Sequence, residues 1–112
     1  MRLSTKQISH IDKKIVLDGN RFLVEINVSE NDGVSWSDDE CNYNIYCVDQ
    51  HYNIIWQVKE IETKPVSISG ETDSFCYLGK DESDEFIADR FSGFVYKINP
   101  DTGEATRVGF HK

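Results

Sequence analysis

The side chains best suited to chemistry in this chain of 112 residues are three cysteines, three histidines and 20 carboxylates. Cys47 and His51 lie four residues apart, close enough in sequence to form a nucleophile and its base. Such a pair needs a third group that orients the imidazole, and none is evident nearby. The sequence has no glycine-rich phosphate loop, no G-x-S-x-G turn and no H-E-x-x-H motif. We therefore predict no catalytic residues and a protein that is not an enzyme.

The sequence offers equally little evidence for a metal site. Cys41, Cys47 and His51 are near one another, but they lack a C-x-x-C spacing and an evident fourth ligand for zinc. The acidic run at 81–85 lacks the glycine and the closing glutamate of an EF-hand calcium loop. The sequence predicts no metal site and no cofactor.

Charge is the most informative property of the chain. Its 20 acidic and 12 basic residues give a net charge of −8, and the pI is near 4.7. This balance argues against direct binding of nucleic acid or an anionic membrane, since both need a cationic surface. It favours a basic protein partner and electrostatically steered association.

The acidic residues fall in two clusters, one between 22 and 58 and one between 71 and 89. They are compatible with a solvated surface that keeps a β protein soluble, or with a binding face for a basic partner. Trp36 lies within the first cluster, where it is either an exposed anchor ringed by charge or a side chain folded into the core. The candidate partner-binding residues are Trp36, Asp38, Asp39, Glu40, Tyr43, Asp81, Glu82, Asp84 and Glu85.

These side chains must be positioned by strands. Two apolar-rich runs flank Asp18-Gly19-Asn20, which predicts a β-hairpin because Asp and Gly tolerate positive φ. The alternation from Phe22 to Val28 predicts one core-facing set at Phe22, Val24, Ile26 and Val28. Residues 29–42 have no periodicity and are expected to form a loop.

Further alternation predicts a hairpin at 43–58, a short edge strand at 66–69 and a meander from 74 to 110, for about nine strands in all. Helix is confined to Ser4–Ile11. We predict a single domain over 1–112, nearly all β, with a curved antiparallel sheet of short strands folded as a sandwich or half-barrel. The predicted core residues are Phe22, Val24, Ile26, Trp56, Phe86, Phe94, Tyr96 and Ile98.

The cysteines and the hydropathy pattern bear on location. The chain has three cysteines, an odd number, and their spacing is not that of a disulfide framework, which argues against a secreted disulfide-bonded domain. No stretch has the apolar length of a signal peptide or a membrane span. We expect a cytoplasmic protein.

The segments 44–58 and 86–108, the second containing Phe91-Ser92-Gly93-Phe94, are similar to hairpins in small bacterial proteins. With its size, acidity and aromatic-bearing acidic segment, the chain resembles bacterial immunity proteins of contact-dependent growth inhibition and other polymorphic toxin systems. The resemblance implies a non-enzymatic inhibitor whose acidic surface covers the active site of a basic nuclease toxin. Two alternatives remain: a ligand- or carbohydrate-binding β module with Trp36, Trp56 and Tyr43 as stacking residues, and a structural subunit of a larger assembly.

Overall fold

Strands dominate the computed structural model, which describes residues 1–28, 33–61 and 72–110. The nearly all-β prediction is confirmed, and nine strands and two short helices lie within these ranges. In chain order they are α1 (Thr5–Ser9), β1 (Ile11–Val16), β2 (Arg21–Ile26), α2 (Asp38–Asn42), β3 (Ile45–Asp49), β4 (Ile54–Gln57), β5 (Lys59–Glu60), β6 (Phe75–Lys80), β7 (Phe86–Arg90), β8 (Phe94–Ile98) and β9 (Glu104–Phe110).

The first sheet is an antiparallel meander in the order β1-β2-β3-β4. Its first hairpin turns where the sequence predicts, at 18–20. The Asp18 carboxylate fixes this turn by accepting hydrogen bonds from the backbone N–H groups of Asn20 and Arg21, both at 3.0 Å. Turn chemistry thus sets the register of β1 against β2, with Val16 opposite Phe22.

The second sheet has the order β5-β9-β8-β7-β6. Strands β6 to β9 form an antiparallel meander, and β5 pairs parallel with β9, a contact that the sequence pattern did not predict. The chain changes sheets at Val58. The Val58 N–H bonds to Ile45 O in the first sheet (2.9 Å), and the next N–H, from Lys59, bonds to Gly103 O in the second (3.0 Å).

Both faces of β2 are buried. Leu23 joins the main core between the two sheets, which also contains Ile45, Leu78 and Tyr96. Phe22, Val24, Ile26 and Val28 share one face as predicted, but that face packs in a smaller cluster with Leu3 and residues of α1 and β1. The chain therefore has two apolar layers, one on each side of the first sheet.

Most of the predicted core is confirmed: Val24, Ile26, Trp56, Phe86, Tyr96 and Ile98 are buried. Phe22 and Phe94 pack against the two apolar clusters as predicted, although each remains partly exposed. Phe94 lies near the end of the second sheet, where it makes an edge contact with Phe110 at 5.0 Å between ring centroids.

The turn between β8 and β9 holds the Trp56 side chain in place through a hydrogen bond and a close contact. Its Nε1 donates to Pro100 O at 2.9 Å. Gly103 has φ +81°, and a Cβ there would lie 2.5 Å from a Trp56 ring carbon. Glycine is therefore required at position 103 both by its backbone conformation and by the approach of the indole.

The predicted N-terminal helix is confirmed as α1, which Ser4 caps in a capping box with Gln7. The expected loop at 29–42 is wrong for its last part, because α2 occupies Asp38–Asn42. The predicted edge strand at 66–69 lies outside the described residues.

Two buried polar side chains join the sheets. The amide of Asn44 donates to Ile26 O and Phe75 O and accepts from Phe75 N, all at 2.8 Å. Arg90 is 3% exposed and pairs with the Glu60 carboxylate, Nη2 to Oε1, at 2.5 Å. Its Nη1 also donates to the carbonyls of Asn42 and Asp73.

Aromatic rings and a hydroxyl surround this ion pair. The Arg90 guanidinium lies 4.2 Å from the Phe75 ring centroid, and the Tyr96 hydroxyl donates to Glu60 Oε1 at 3.1 Å. A buried charge is tolerated only when it is paired and hydrogen-bonded in this way.

We predict that Arg90→Met lowers the free energy of unfolding by about 3–5 kcal/mol. Of its ion pairs in the described ranges, the buried Glu60 carboxylate would keep only the longer one with Arg107, at 3.8 Å, and the carbonyls of Asn42 and Asp73 would lose their donor. The control is Arg21→Met, which removes an arginine that pairs with Asp18 on the surface at 2.7 Å and whose loss is expected to cost only a small fraction of that amount. Urea denaturation of both variants measures the difference. Equal losses would contradict a central role for the buried pair.

Candidate functional site

A groove of about 480 Å³ opens beside the turn between β6 and β7. Phe86 and Ile98 are the buried members of its lining, and Asp84, Glu85, Lys97 and Glu104 are the charged ones. The groove thus combines an apolar base with three carboxylates and one ammonium group. It contains two of the predicted partner-binding residues, Asp84 and Glu85.

The turn that presents these carboxylates is built by Asp81. Its Oδ1 accepts from the N–H groups of Ser83 (2.9 Å) and Glu85 (3.0 Å), and Asp84 adopts φ +64°. Asp81 therefore has a structural role in the turn, while Glu82 is exposed. This internal hydrogen bonding holds Asp84 and Glu85 in place without any ligand.

Two lysines partly balance the acidic turn. Lys97 pairs with Glu85 at 2.7 Å, and this hydrogen bond raises the pKa of Lys97. Lys80 pairs with Asp84 at 3.2 Å. Both pairs are solvent-exposed, so they contribute little to stability and can rearrange when a partner binds.

Part of the other acidic cluster, the one between residues 22 and 58, lies on α2. Asp38 and Asp39 are exposed in the first turn of the helix, where carboxylates interact favourably with the helix dipole. Glu40 is different: it completes a capping box with Ser37 and pairs with Lys6 at 3.4 Å. Burial alone would raise the pKa of Glu40, but the Ser37 N–H and Lys6 outweigh it and lower that pKa. Glu40 therefore stabilises the helix, and reversing its charge would disturb the fold as well as any binding surface.

Trp36 and Tyr43 are separated by the first sheet. Trp36 is partly buried against the smaller apolar cluster, with Lys6 Nζ 4.5 Å from its ring centroid and His10 in edge contact at 5.2 Å. Its Nε1 is buried and has no hydrogen-bond partner in the described ranges. Tyr43 packs against the main core instead, and Trp56 is buried within it. The three aromatic side chains therefore do not form one stacking platform.

The two acidic clusters lie at opposite ends of β7. At one end Arg90 donates to Asn42 O, the last residue of α2, at 2.7 Å. At the other end Phe86 follows the acidic turn at 81–85. A five-residue strand separates its terminal residues by about 14 Å. The predicted binding residues thus belong to two surfaces rather than one.

Cys47 and His51, the nucleophile and base considered in the sequence analysis, are not arranged for catalysis. Cys47 is fully buried in the main core, and burial raises the pKa of its thiol to about 11. His51 is exposed in the turn before β4. A thiol with so high a pKa supplies almost no thiolate near neutral pH. Among the described residues, no three His, Cys, Asp or Glu side chains are grouped to hold a metal ion.

Sequence reasoning missed Glu25. It lies in β2 on the same face as Leu23, is only 4% exposed, and lines a pocket of about 140 Å³. Neither oxygen of its carboxylate has a hydrogen-bond or ion-pair partner in the described part of the chain. Leu23 was the available signal, because an apolar residue on the supposedly solvated face of β2 indicates that this face is also covered.

The surroundings of Glu25 favour its neutral form. Burial raises the pKa of Glu25 to about 7, the nearby Asp12 carboxylate adds to the increase, and Lys13 opposes it. In the unfolded chain the group titrates near 4.5. Glu25 therefore binds a proton in the folded protein over a pH range in which the unfolded chain has already lost it.

This difference predicts that Glu25 makes folding more favourable as the pH falls from about 8 to about 5, by up to about 3 kcal/mol. The sign follows because the folded state holds more protons in this window. Glu25→Gln is expected to be more stable than the native protein at pH 8 and to lose this contribution to the pH dependence. Denaturant unfolding of both proteins from pH 5 to pH 8.5 is the measurement, and parallel curves would show that Glu25 is solvated.

No protein-family model, curated protein or solved structure is detectably similar to this chain. Within residues 1–28, 33–61 and 72–110, no helix has the length and apolar character needed to cross a membrane.

Proposed function

We propose that the protein is a non-enzymatic immunity protein that binds a basic nuclease toxin in the bacterial cytoplasm and covers its active site. The observation that supports this proposal most is the groove beside the β6–β7 turn, with its apolar base and three carboxylates. The net charge of −8 supports the same partner chemistry.

The groove suits a lysine or arginine side chain of the partner. Such a side chain has an apolar stem and a charged end. The stem would lie along Phe86 and Ile98, and the charged end would meet Asp84 and Glu104. Charge-assisted hydrogen bonds of this kind are shorter and stronger than neutral ones.

Occlusion requires only that the inhibitor occupy the cationic groove in which a nuclease holds phosphates. A surface of carboxylates competes with the nucleic acid for the same positive charges. Long-range attraction between opposite charges also accelerates the encounter, to roughly 10⁸ M⁻¹s⁻¹ or faster at low salt.

The direct test begins with a search for a nuclease toxin gene next to this one, and the encoded nuclease domain is then produced. Purified nuclease is titrated with the protein while cleavage of RNA or DNA is followed. An occluding inhibitor abolishes activity near equal molar amounts. Time-dependent loss of nuclease activity at substoichiometric amounts would contradict the proposal, because it would mean that the protein modifies its target. A gene neighbourhood of sugar metabolism without a toxin would favour the ligand-binding alternative.

A pair of matched variants tests which acidic surface binds. Asp84→Asn with Glu104→Gln neutralises the groove, and Asn tolerates the positive φ of position 84. Asp38→Asn with Asp39→Asn removes the same charge from α2. We expect the groove variant to bind the nuclease at least tenfold more weakly in 50 mM salt, with a flatter dependence on salt, and the α2 variant to change affinity by less than about threefold.

Stopped-flow association and dissociation rates measure these effects, and the melting temperatures of both variants control for folding. The opposite ranking would place the interface on α2. Equal losses of affinity in the two variants would show that net charge alone determines binding, which would contradict a specific role for the groove.

A further inference from the structure

The pocket that contains Glu25 has features of a built site, separate from the groove. It is bounded by Asp12 of β1, Glu25 of β2, Cys76 of β6 and Phe91 in the turn after β7. Glu25 is buried, has no hydrogen-bond or ion-pair partner among residues 1–28, 33–61 and 72–110, and lies along the pocket wall. Buried carboxyl groups in folded proteins normally have hydrogen-bond partners. An unpartnered one that faces open space is therefore available to a ligand.

Phe91 provides a second, independent observation. Its side chain is 84% exposed at the edge of this pocket, although large aromatic side chains are normally covered. An aromatic ring beside two carboxylates is a favourable environment for an organic cation, because both the ring face and the carboxylates attract positive charge.

Among the described residues, the charged and titratable groups around Glu25 come from two strands, β1 and β6. Asp12 and Lys13 lie on β1, where Lys13 is the cross-strand partner of Glu25, and Cys76 lies on β6. Lys13 is exposed and forms no ion pair with Glu25. Burial and nearby carboxylates, including Glu25, raise the pKa of the Cys76 thiol, which therefore adds no charge near neutral pH.

We propose that this pocket binds a primary ammonium group on a short alkyl chain, with Glu25 and Asp12 as counter-charges and Phe91 as a lid over the alkyl carbons. The size is appropriate, since a cavity of about 150 Å³ holds a molecule of six heavy atoms such as benzene. A butylammonium ion has five heavy atoms and corresponds to the end of a lysine side chain. The apolar surfaces of Val28 and Phe75 face the stem of such a ligand.

This chemistry links binding to pH. An ammonium ion is held by ionised Glu25, so binding near neutral pH expels a proton from the carboxyl group. With a Glu25 pKa of about 7, the affinity should fall about tenfold between pH 8 and pH 6 as the ionised fraction falls. The inference does not depend on the proposed immunity function, because a free amine suffices to test it.

The experiment titrates the full-length protein with n-butylammonium chloride by isothermal titration calorimetry at pH 6, 7 and 8. Two buffers of different ionisation enthalpy measure the number of protons released. We expect millimolar binding at pH 8, about tenfold weaker binding at pH 6 and release of about half a proton at pH 7. n-Butanol, which has the same size without the charge, should bind at least tenfold more weakly.

Glu25→Gln should abolish ammonium binding and proton release, whereas Glu82→Gln, which removes an exposed carboxylate in the β6–β7 turn, should leave both unchanged. Circular dichroism and the melting temperature at pH 8 verify that Glu25→Gln is folded. N-acetyl-lysine methylamide forms a second arm: binding as tight as that of butylammonium points to a lysine side chain of a partner, and tighter binding of butylammonium alone points to a free amine.

Any of the following results would overturn the proposal. One is the absence of butylammonium binding up to 50 mM. Another is equal binding of n-butanol, or binding that survives Glu25→Gln. The last is binding that appears only in Lys13→Met, which would identify Lys13 of this chain as the occupant.

Discussion

The charge of Arg90 has to be balanced in the interior, and much of the fold is arranged around that requirement. Its guanidinium is paired with Glu60 of β5 and donates to the carbonyls of Asn42 and Asp73. These partners come from the end of α2, from a two-residue strand and from the segment before β6. Each of those segments is short and has little apolar surface of its own. Pairing this one buried cation therefore fixes the positions of three segments that hydrophobic burial alone would hold weakly.

The second organising feature is the double burial of β2, which makes the first sheet a middle layer. Asn44 supports this arrangement, because its amide bonds both to the end of β2 and to the first residue of β6. The Asn44 side chain thus joins β2 to β6, two strands of different sheets, with hydrogen bonds of the kind that backbone groups supply between neighbouring strands of one sheet. The same layering buries Glu25 at the margin of the core, where none of the described strands supplies a hydrogen-bond donor to its carboxylate. The unpartnered carboxyl group is thus a consequence of how the two sheets meet.

Local sequence patterns predicted the hairpins but did not predict the contacts between segments that are distant in sequence. Alternation and the Asp18-Gly19 turn were sufficient for β1 and β2, since both signals act within a few residues. The α2 helix was missed although Ser37 and Glu40 have the spacing of a capping box. Strand β5 had no local signal, because two residues carry no periodicity and its pairing with β9 spans more than forty positions. Of the candidate site, Asp84 and Glu85 were found from charge clustering, whereas Glu25 required knowledge of what covers the second face of β2.

The change of sheet at Val58 has a consequence for how the chain reaches its native state. Along the chain β5 follows the first meander directly, yet its pairing partner is β9, which is synthesised after β6, β7 and β8. A nascent chain that ends before β6 would expose Leu23, Ile45 and Cys47, because the sheet that covers them has not yet been made. Glu60 would have neither Arg90 nor Tyr96. Stable structure therefore requires that β6 to β9 have been synthesised, and the two meanders depend on each other although each is continuous in sequence.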